Sequence, residues 1–155
     1  MDDPVEARLK DLGVVLPDAP RPVANYVPSL ISGDHLFVSG QISMDSDGKI
    51  ITGQLGADVS VDQGQRAAKL CAILILAQTK AALGSLDRVA QVVKLTGFVN
   101  AMADFGDHPK VINGASDFMV EVFGGKGRHT RAAVGVSSLP MNCAVEIDAI
   151  LRIER

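Results

Sequence analysis

Tryptophan is absent and tyrosine occurs once, so that with five phenylalanines the aromatic residues make up only 4% of the chain. Single-stranded nucleic acid is usually held by stacking on aromatic side chains, and any phosphate backbone demands a basic footprint. Here the formal net charge is −3 and the pI about 5.5, so charge and aromatic content both argue against a nucleic-acid partner. The cysteines, Cys71 and Cys143, form no CxxC pair and no metal-spaced cluster; they read as reduced thiols. His35, His108 and His129 are dispersed without metal spacing, so no metal is expected. No apolar run approaches the ~18 uncharged residues of a membrane helix. The N-terminal run MDDPVEARLKDLG lacks the basic, apolar, small-residue order of a signal peptide, which makes the cytoplasm the expected location. GxSxG, Walker A, HExxH and GxGxxG are all missing, and no cofactor is expected.

What remains is a chain of 155 residues and 16.3 kDa, one domain's worth. Hydrophobic residues reach 47% against 21% charged, and the mean hydropathy is +0.22. That is high for a small soluble monomer. Without a membrane segment, the excess apolar surface implies burial against a second copy of the chain.

Residues 2–12 place Val5, Leu9 and Leu12 on one side of a short helix. Residues 14–28 hold prolines at 17, 20, 22 and 28 and read as an extended arm. A hairpin follows, Ser29–Ser32 and His35–Ser39 around Gly33-Asp34, then a turn at Asp45–Gly48 and a short strand at Lys49–Thr52. Ser60 with Gln63 three residues on is a capping box, opening a helix that runs to Gly84. Its middle, Cys71–Ala77, is apolar all round, so both sides should be covered. Asp87–Ala101 is a long strand. Asp107-His108-Pro109 opens a second helix, with Asp107 or His108 as cap, ending near Gly124-Gly125. Arg131–Val136 and Cys143–Ile153 are strands, read as a hairpin in which Ser138 opposes Cys143. The expected fold class is α+β: a two-layer sandwich of a mixed sheet with two helices on one face. Such a sandwich leaves one sheet face bare, which again calls for a partner copy.

Alternation in the last strand puts Ala144, Glu146, Asp148, Ile150 and Arg152 on one face and Cys143, Val145, Ile147, Ala149, Leu151 and Ile153 on the other. The second set is a core face. The first carries two carboxylates mid-sheet, where they need pairing or exposure. In the hairpin register, Arg131, Ala133 and Gly135 share the carboxylate face, and Arg131 lies ~13 Å along the strand from Glu146. Cross-strand ion pairing is therefore stretched within one chain, and a small acid or a neighbouring subunit bridges the two groups more naturally. His129 reads either as a solvated loop histidine or as part of the same site.

The run Thr130-Arg131-Ala-Ala-Val-Gly-Val-Ser-Ser-Leu139-Pro140-Met-Asn-Cys-Ala-Val-Glu146-Ile-Asp-Ala-Ile150 resembles the signature of the YjgF/RidA family, also called the L-PSP endoribonuclease family. Asn25-Tyr26-Val27 is similar to the family's early Tyr-Val, and Val38-Ser39-Gly40-Gln41-Ile42 to its Ser-Gly-Gln strand. Lys94–Val99 with Asp104-Phe105 and Ile112-Asn113 is similar to its second strand, Asp-Phe turn and helix-borne Asn. The match covers about residues 22–155, leaving 1–21 as an N-terminal extension. The resemblance implies a chorismate-mutase-like fold and a homotrimer that closes the bare sheet faces into a central barrel. It also implies small-molecule sites in clefts between subunits.

The family's best-known activity hydrolyses reactive 2-imino or enamine acids (2-iminobutanoate and 2-iminopropanoate) to 2-keto acids and ammonia. By that resemblance Arg131 anchors a carboxylate and Glu146 orients or activates the water, as the two catalytic residues. Tyr26, Ser39, Gly40 and Asn113 line the pocket, with Ala133 and His129 as further substrate-binding candidates. The expected reading is thus a hydrolase, an imine deaminase acting on a small carboxylate. The alternatives are a non-catalytic 2-keto acid binder or chaperone-like protein and, against the acidic composition, an endoribonuclease. Ala133 stands where deaminase-active members often carry cysteine. That, the extension and the Gly124–His129 loop mark a divergent subgroup.

Overall fold

The computed structural model describes residues 3–155; Met1 and Asp2, part of the expected first helix, lie outside it. Three helices, α1 (Pro4–Asp11), α2 (Val61–Leu83) and α3 (His108–Phe123), accompany five strands: β1 (Ser29–Ser32), β2 (His35–Ile42), β3 (Val89–Asn100), β4 (Thr130–Val136) and β5 (Val145–Ile153). The strands form one mixed sheet in the order β1-β2-β5-β3-β4. The α+β sandwich thus holds, with a third helix supplied by the N-terminal segment. Among the described residues no helix is long and apolar enough to cross a membrane.

Local chemistry explains the helix ends. The Ser60 hydroxyl accepts from Gln63 N at 3.1 Å while Gln63 Oε1 accepts from Ser60 N at 2.8 Å, the reciprocal capping box. Gly84 closes α2 at φ 81, a left-handed cap that glycine adopts without a Cβ penalty. Asp107 stands at the cap position of α3 but makes no side-chain cap bond. The apolar middle of α2 is covered as expected: Cys71, Ala72, Leu74, Ile75, Leu76 and Ala77 are all buried. On α1, Asp3 caps Val5 N and Glu6 N, and Leu9 is buried in the main core.

Two expectations fail. Lys49–Thr52 makes only isolated bridges, Met44 to Ile50 and Thr52 to Cys143, because its neighbours are single residues rather than a strand. More consequential, β4 and β5 form no hairpin. β4 follows α3 in a crossover from β3 and pairs with β3 in parallel, Leu95 opposite Arg131. β5 fills the slot between β2 and β3, antiparallel to both. Its helix-facing residues are buried over the whole strand, and a central position satisfies its backbone on both sides. Alternation reports which face a residue takes, not which strand lies beside it.

The register decides the faces. Leu95 lies opposite both Arg131 and Ala149, so Arg131 is on the helix-covered face. Phe98 lies opposite both Glu146 and Val134, on the uncovered face. Arg131 and Glu146 therefore point to opposite sides of the sheet, which corrects the shared face expected from a hairpin. Leu30, Phe37 and Val134, 59%, 43% and 43% exposed, make the uncovered face apolar.

Close packing of α3 on the sheet depends on Gly97. A Cβ there would stand 2.5 Å from Ile112 Cδ1 and 2.7 Å from its Cγ1. Gly97→Ala should therefore destabilise the protein by about 1–3 kcal/mol, the usual cost of overpacking. Ile112→Val in the same chain should restore part of that loss. Urea unfolding of the three variants at one protein concentration checks this. Equal midpoints for wild type and Gly97→Ala would show that α3 yields freely.

Candidate functional site

β5 carries Glu146 to the uncovered face at the point where β2 is irregular. Val38 pairs with Ala149 but Gln41 with Ile147, so β2 holds one extra residue at Ser39-Gly40. The Glu146 side chain lies across this bulge. A Cβ on Gly40 would be 3.1 Å from Glu146 Cδ and 3.3 Å from Oε1, so any other residue would push the carboxylate away.

Beyond the end of β1 the second half of β2 is a sheet edge, and the arm of residues 13–28 covers it. Ser39 ties the two together, its hydroxyl donating to Val27 O at 2.8 Å and its N–H to Pro28 O at 2.9 Å. Buried Gln78 of α2 donates to Pro20 O at 2.7 Å and to Gln41 Oε1 at 3.4 Å, and Gln41 donates to Ser39 O at 2.9 Å. These bonds hold open a cleft of about 360 Å³. The arm (Pro20, Pro22, Val23, Tyr26), α2 (Leu74, Gln78) and Pro140-Met141 wall it, and Glu146 reaches it. A shallower groove of about 550 Å³ continues over the uncovered face past Tyr26, Phe37, Phe98 and Asp148. Burial pushes the Glu146 carboxyl above its ordinary value, and the Asp148 carboxylate adds to the shift. Among the described residues Glu146 has no cationic partner.

Met141 and Asn142 form a wall of unusual backbone, with φ of 55 and 56 in the left-handed region. They are held from below. Asn100, 1% exposed, donates to Asn142 Oδ1 at 3.1 Å and Cys143 O at 3.2 Å, and Gly53 N donates to Asn142 O at 2.9 Å.

On the other side of the sheet, Arg131 lies against α3. Its Nη1 donates to Asn113 Oδ1 at 2.8 Å and Ser116 Oγ at 3.1 Å, and its Nη2 to Pro109 O at 3.3 Å. All three acceptors are neutral, and no carboxylate of the described residues pairs with the guanidinium. Nε–H and one Nη2 hydrogen make no bond within the described chain. A guanidinium offers five hydrogens, and these two remain free to hold an anion. Ser116 Oγ also meets His129 Nε2 at 2.8 Å, and His129 Nδ1 meets Gly127 O at 2.6 Å. Ala133, next on the same strand face, packs against the core.

The candidates thus fall into two groups. Tyr26, Ser39, Gly40 and Glu146 meet at the bulge; Asn113, His129, Arg131 and Ala133 meet at the junction of α3 and β4. One chain does not join them. His129 sits behind Arg131 rather than in water. Ser116 was missed, although its i+3 spacing from Asn113 puts it on the same helix face. The arm prolines and Met141 were missed as cleft walls, since composition marks them only as loop. No group of three or more His, Cys, Asp or Glu among the described residues is arranged to hold a metal.

Comparison with known proteins extends this geometry. A solved structure of a protein of unknown function from Agrobacterium tumefaciens superposes with a TM-score of 0.91 at 55% identity, over 97% of this chain and 93% of that one. Protein TCP17 of Trypanosoma cruzi is 49% identical over 150 residues, 96% of this chain and 94% of the relative. A 2-iminobutanoate/2-iminopropanoate deaminase of Dermatophagoides farinae is 29% identical over 139 residues, 89% and 93% of the two chains. The sequence model described as "YjgF/chorismate mutase-like, putative endoribonuclease" matches residues 6–151. Since that match spans both the bulge with Glu146 and the strand with Arg131, the chain belongs to the YjgF/RidA family.

Proposed function

We propose that this protein is a deaminase of small 2-imino acids, hydrolysing them to 2-keto acids and ammonia at a site built from two copies of the chain. One observation carries the reading: among the described residues, Arg131 is a fixed guanidinium with neutral partners, no counter-charge and two free hydrogens. That is what a bidentate carboxylate anchor requires. The deaminase from Dermatophagoides farinae supports the substrate class.

Glu146 supplies the chemistry. As a carboxylate it takes a proton from water while the water oxygen adds to the imine carbon, and it returns that proton to the nitrogen, which gives the carbinolamine. It then takes the hydroxyl proton and passes it to the amine nitrogen, so that the C–N bond breaks, C=O forms and the nitrogen leaves as NH3. A carboxyl whose pKa is raised by burial and by Asp148 is a stronger base than an ordinary carboxylate and better suited to accept and return that proton. Imines hydrolyse readily, so holding substrate beside one water suffices. The cleft suits a substrate of a few carbons.

Two copies are needed because Arg131 and Glu146 leave one chain on opposite faces. The apolar uncovered face gives the copies reason to associate. We propose a homotrimer, for which sedimentation equilibrium should give about three times 16.3 kDa. A monomer at micromolar concentration would end both the trimer and the shared site.

Glu146→Gln separates an enzyme from a binder. Turnover of 2-iminopropanoate, generated in place by an amino-acid oxidase, should fall ~100-fold or more while pyruvate binding persists. The same variant should melt at or above the wild-type temperature at pH 7. With the folded pKa raised, ionisation costs stability, and the cost sets in as pH rises through the carboxylate range. The gap should therefore close as pH is lowered below the ordinary glutamate value. A lower melting temperature for Glu146→Gln at pH 7 would mark the glutamate as structural.

Arg131→Lys keeps the charge and loses the fork. Calorimetric titration should show pyruvate or 2-ketobutyrate affinity reduced about ten- to a hundredfold in a folded variant. Equal affinity in the two proteins would remove Arg131 as the anchor.

A further inference from the structure

We infer that His129 is a positioning residue, which orients the Arg131 guanidinium through the Ser116 hydroxyl. The inference rests on the reading of Arg131 as a carboxylate anchor and goes beyond it by assigning what aims the anchor.

The bonding pattern fixes the direction of each proton. The Gly127 carbonyl only accepts, so His129 Nδ1, 2.6 Å away, carries a hydrogen. In the neutral ring Nε2 is then a lone pair, and Ser116 Oγ, 2.8 Å away, donates to it. With its proton committed to His129, the Ser116 oxygen turns a lone pair to Arg131 Nη1 at 3.1 Å. A serine hydroxyl without that acceptor rotates freely. Bonds linked head to tail in this way also polarise one another.

The geometry behind the histidine is tight. Gly127 lies against α3, where a Cβ would run into the Met119 carbonyl, so only glycine brings the 127 carbonyl under the imidazole. The relay matters because Arg131 has no carboxylate to aim it. Both Nη1 hydrogens are held, one by Asn113 Oδ1 and one by Ser116 Oγ. Together with Pro109 O on Nη2 they set the plane of the group and present Nε–H and the remaining Nη2–H as an outward pair. Without an aligned Ser116, Nη1 keeps only Asn113, and the outward pair loses its fixed direction.

The test uses the full-length assembled protein and the variants Ser116→Ala, His129→Ala and His129→Gln, with Arg131→Lys as reference. Pyruvate affinity is measured by calorimetry, and the order of the Arg131 Nε–H group by ¹⁵N relaxation. Ser116→Ala and His129→Ala should each weaken pyruvate about three- to tenfold and lower the Nε–H order parameter. The double variant should be no worse than Ser116→Ala, since both act through one hydroxyl. His129→Gln, whose Oε1 can accept near the place of Nε2, should restore affinity to within about twofold. Wild-type order at Arg131 in His129→Ala overturns the inference, whether or not affinity changes, while a weakened Arg131→Lys leaves the anchor reading intact. If wild type binds no 2-keto acid, the anchor reading fails and relaxation alone decides. Lost order in His129→Ala then upholds the positioning role, and unchanged order overturns it. Should His129→Ala not fold, Ser116→Ala carries the same comparison.

Discussion

Everything in this molecule depends on β5 running through the middle of the sheet, bonded to β2 on one side and β3 on the other. A central strand must satisfy its backbone twice and its side chains by face. Val145, Ile147, Ala149, Leu151 and Ile153 accordingly point into the helical layer and are buried. The intervening residues have no choice of side. Glu146 and Asp148 are carried to the uncovered face by the same alternation that builds the core. A one-residue slip of β5 would place both carboxylates under the helices and expose the apolar row, so the packing energy of the core holds Glu146 in place.

That constraint also explains what was legible in the sequence. The two faces of β5, both long helices with the caps of α2, and the proline arm followed from local rules. Capping needs only Ser60, Gln63 and Gly84, and alternation needs only neighbouring residues. The strand neighbours did not follow, because β4 and β5 are adjacent in sequence and separated in space by β3. A hairpin and a crossover start from the same pair of apolar runs. What separates them is whether the connection at residues 137–144 turns back beside β4 or crosses to the other side of β3, as it does here. The wrong neighbour put Arg131 on the wrong face. The candidate residues came from resemblance as individual positions; their division into two groups could not come from it. Ser116 escaped because a serine within a helix carries no signal of its own, and its role emerges only when Arg131 and His129 approach it from another strand and loop.

The two groups obey different physics. At the bulge, Glu146 is an acid with no cationic partner among the described residues, partly desolvated and raised in pKa by burial and a neighbouring carboxylate. At the α3–β4 junction, Arg131 is a cation held, among the described residues, only by neutral acceptors. A fold selected for stability alone would bring such groups together or leave each in water. This one keeps them apart and fixes each in place. The bulge and Gly40 do so for the acid, and Asn113, Ser116 and the Pro109 carbonyl for the cation.

The arm serves both the edge and the cleft. A cleft beside an open strand edge would normally invite pairing with another chain, and β2 beyond β1 is such an edge. The arm covers it with prolines, which donate no backbone hydrogen bond and restrict the unfolded chain, so ordering the segment costs less entropy. Its attachments are few and specific: Ser39 to Val27 and Pro28, and Gln78 to Pro20. Leu9 of α1, buried in the core, anchors the segment upstream. The arm thus blocks edge pairing and walls the Glu146 cleft with the same residues. Past the arm the apolar face of the sheet stays uncovered, with Glu146 at the end of the cleft.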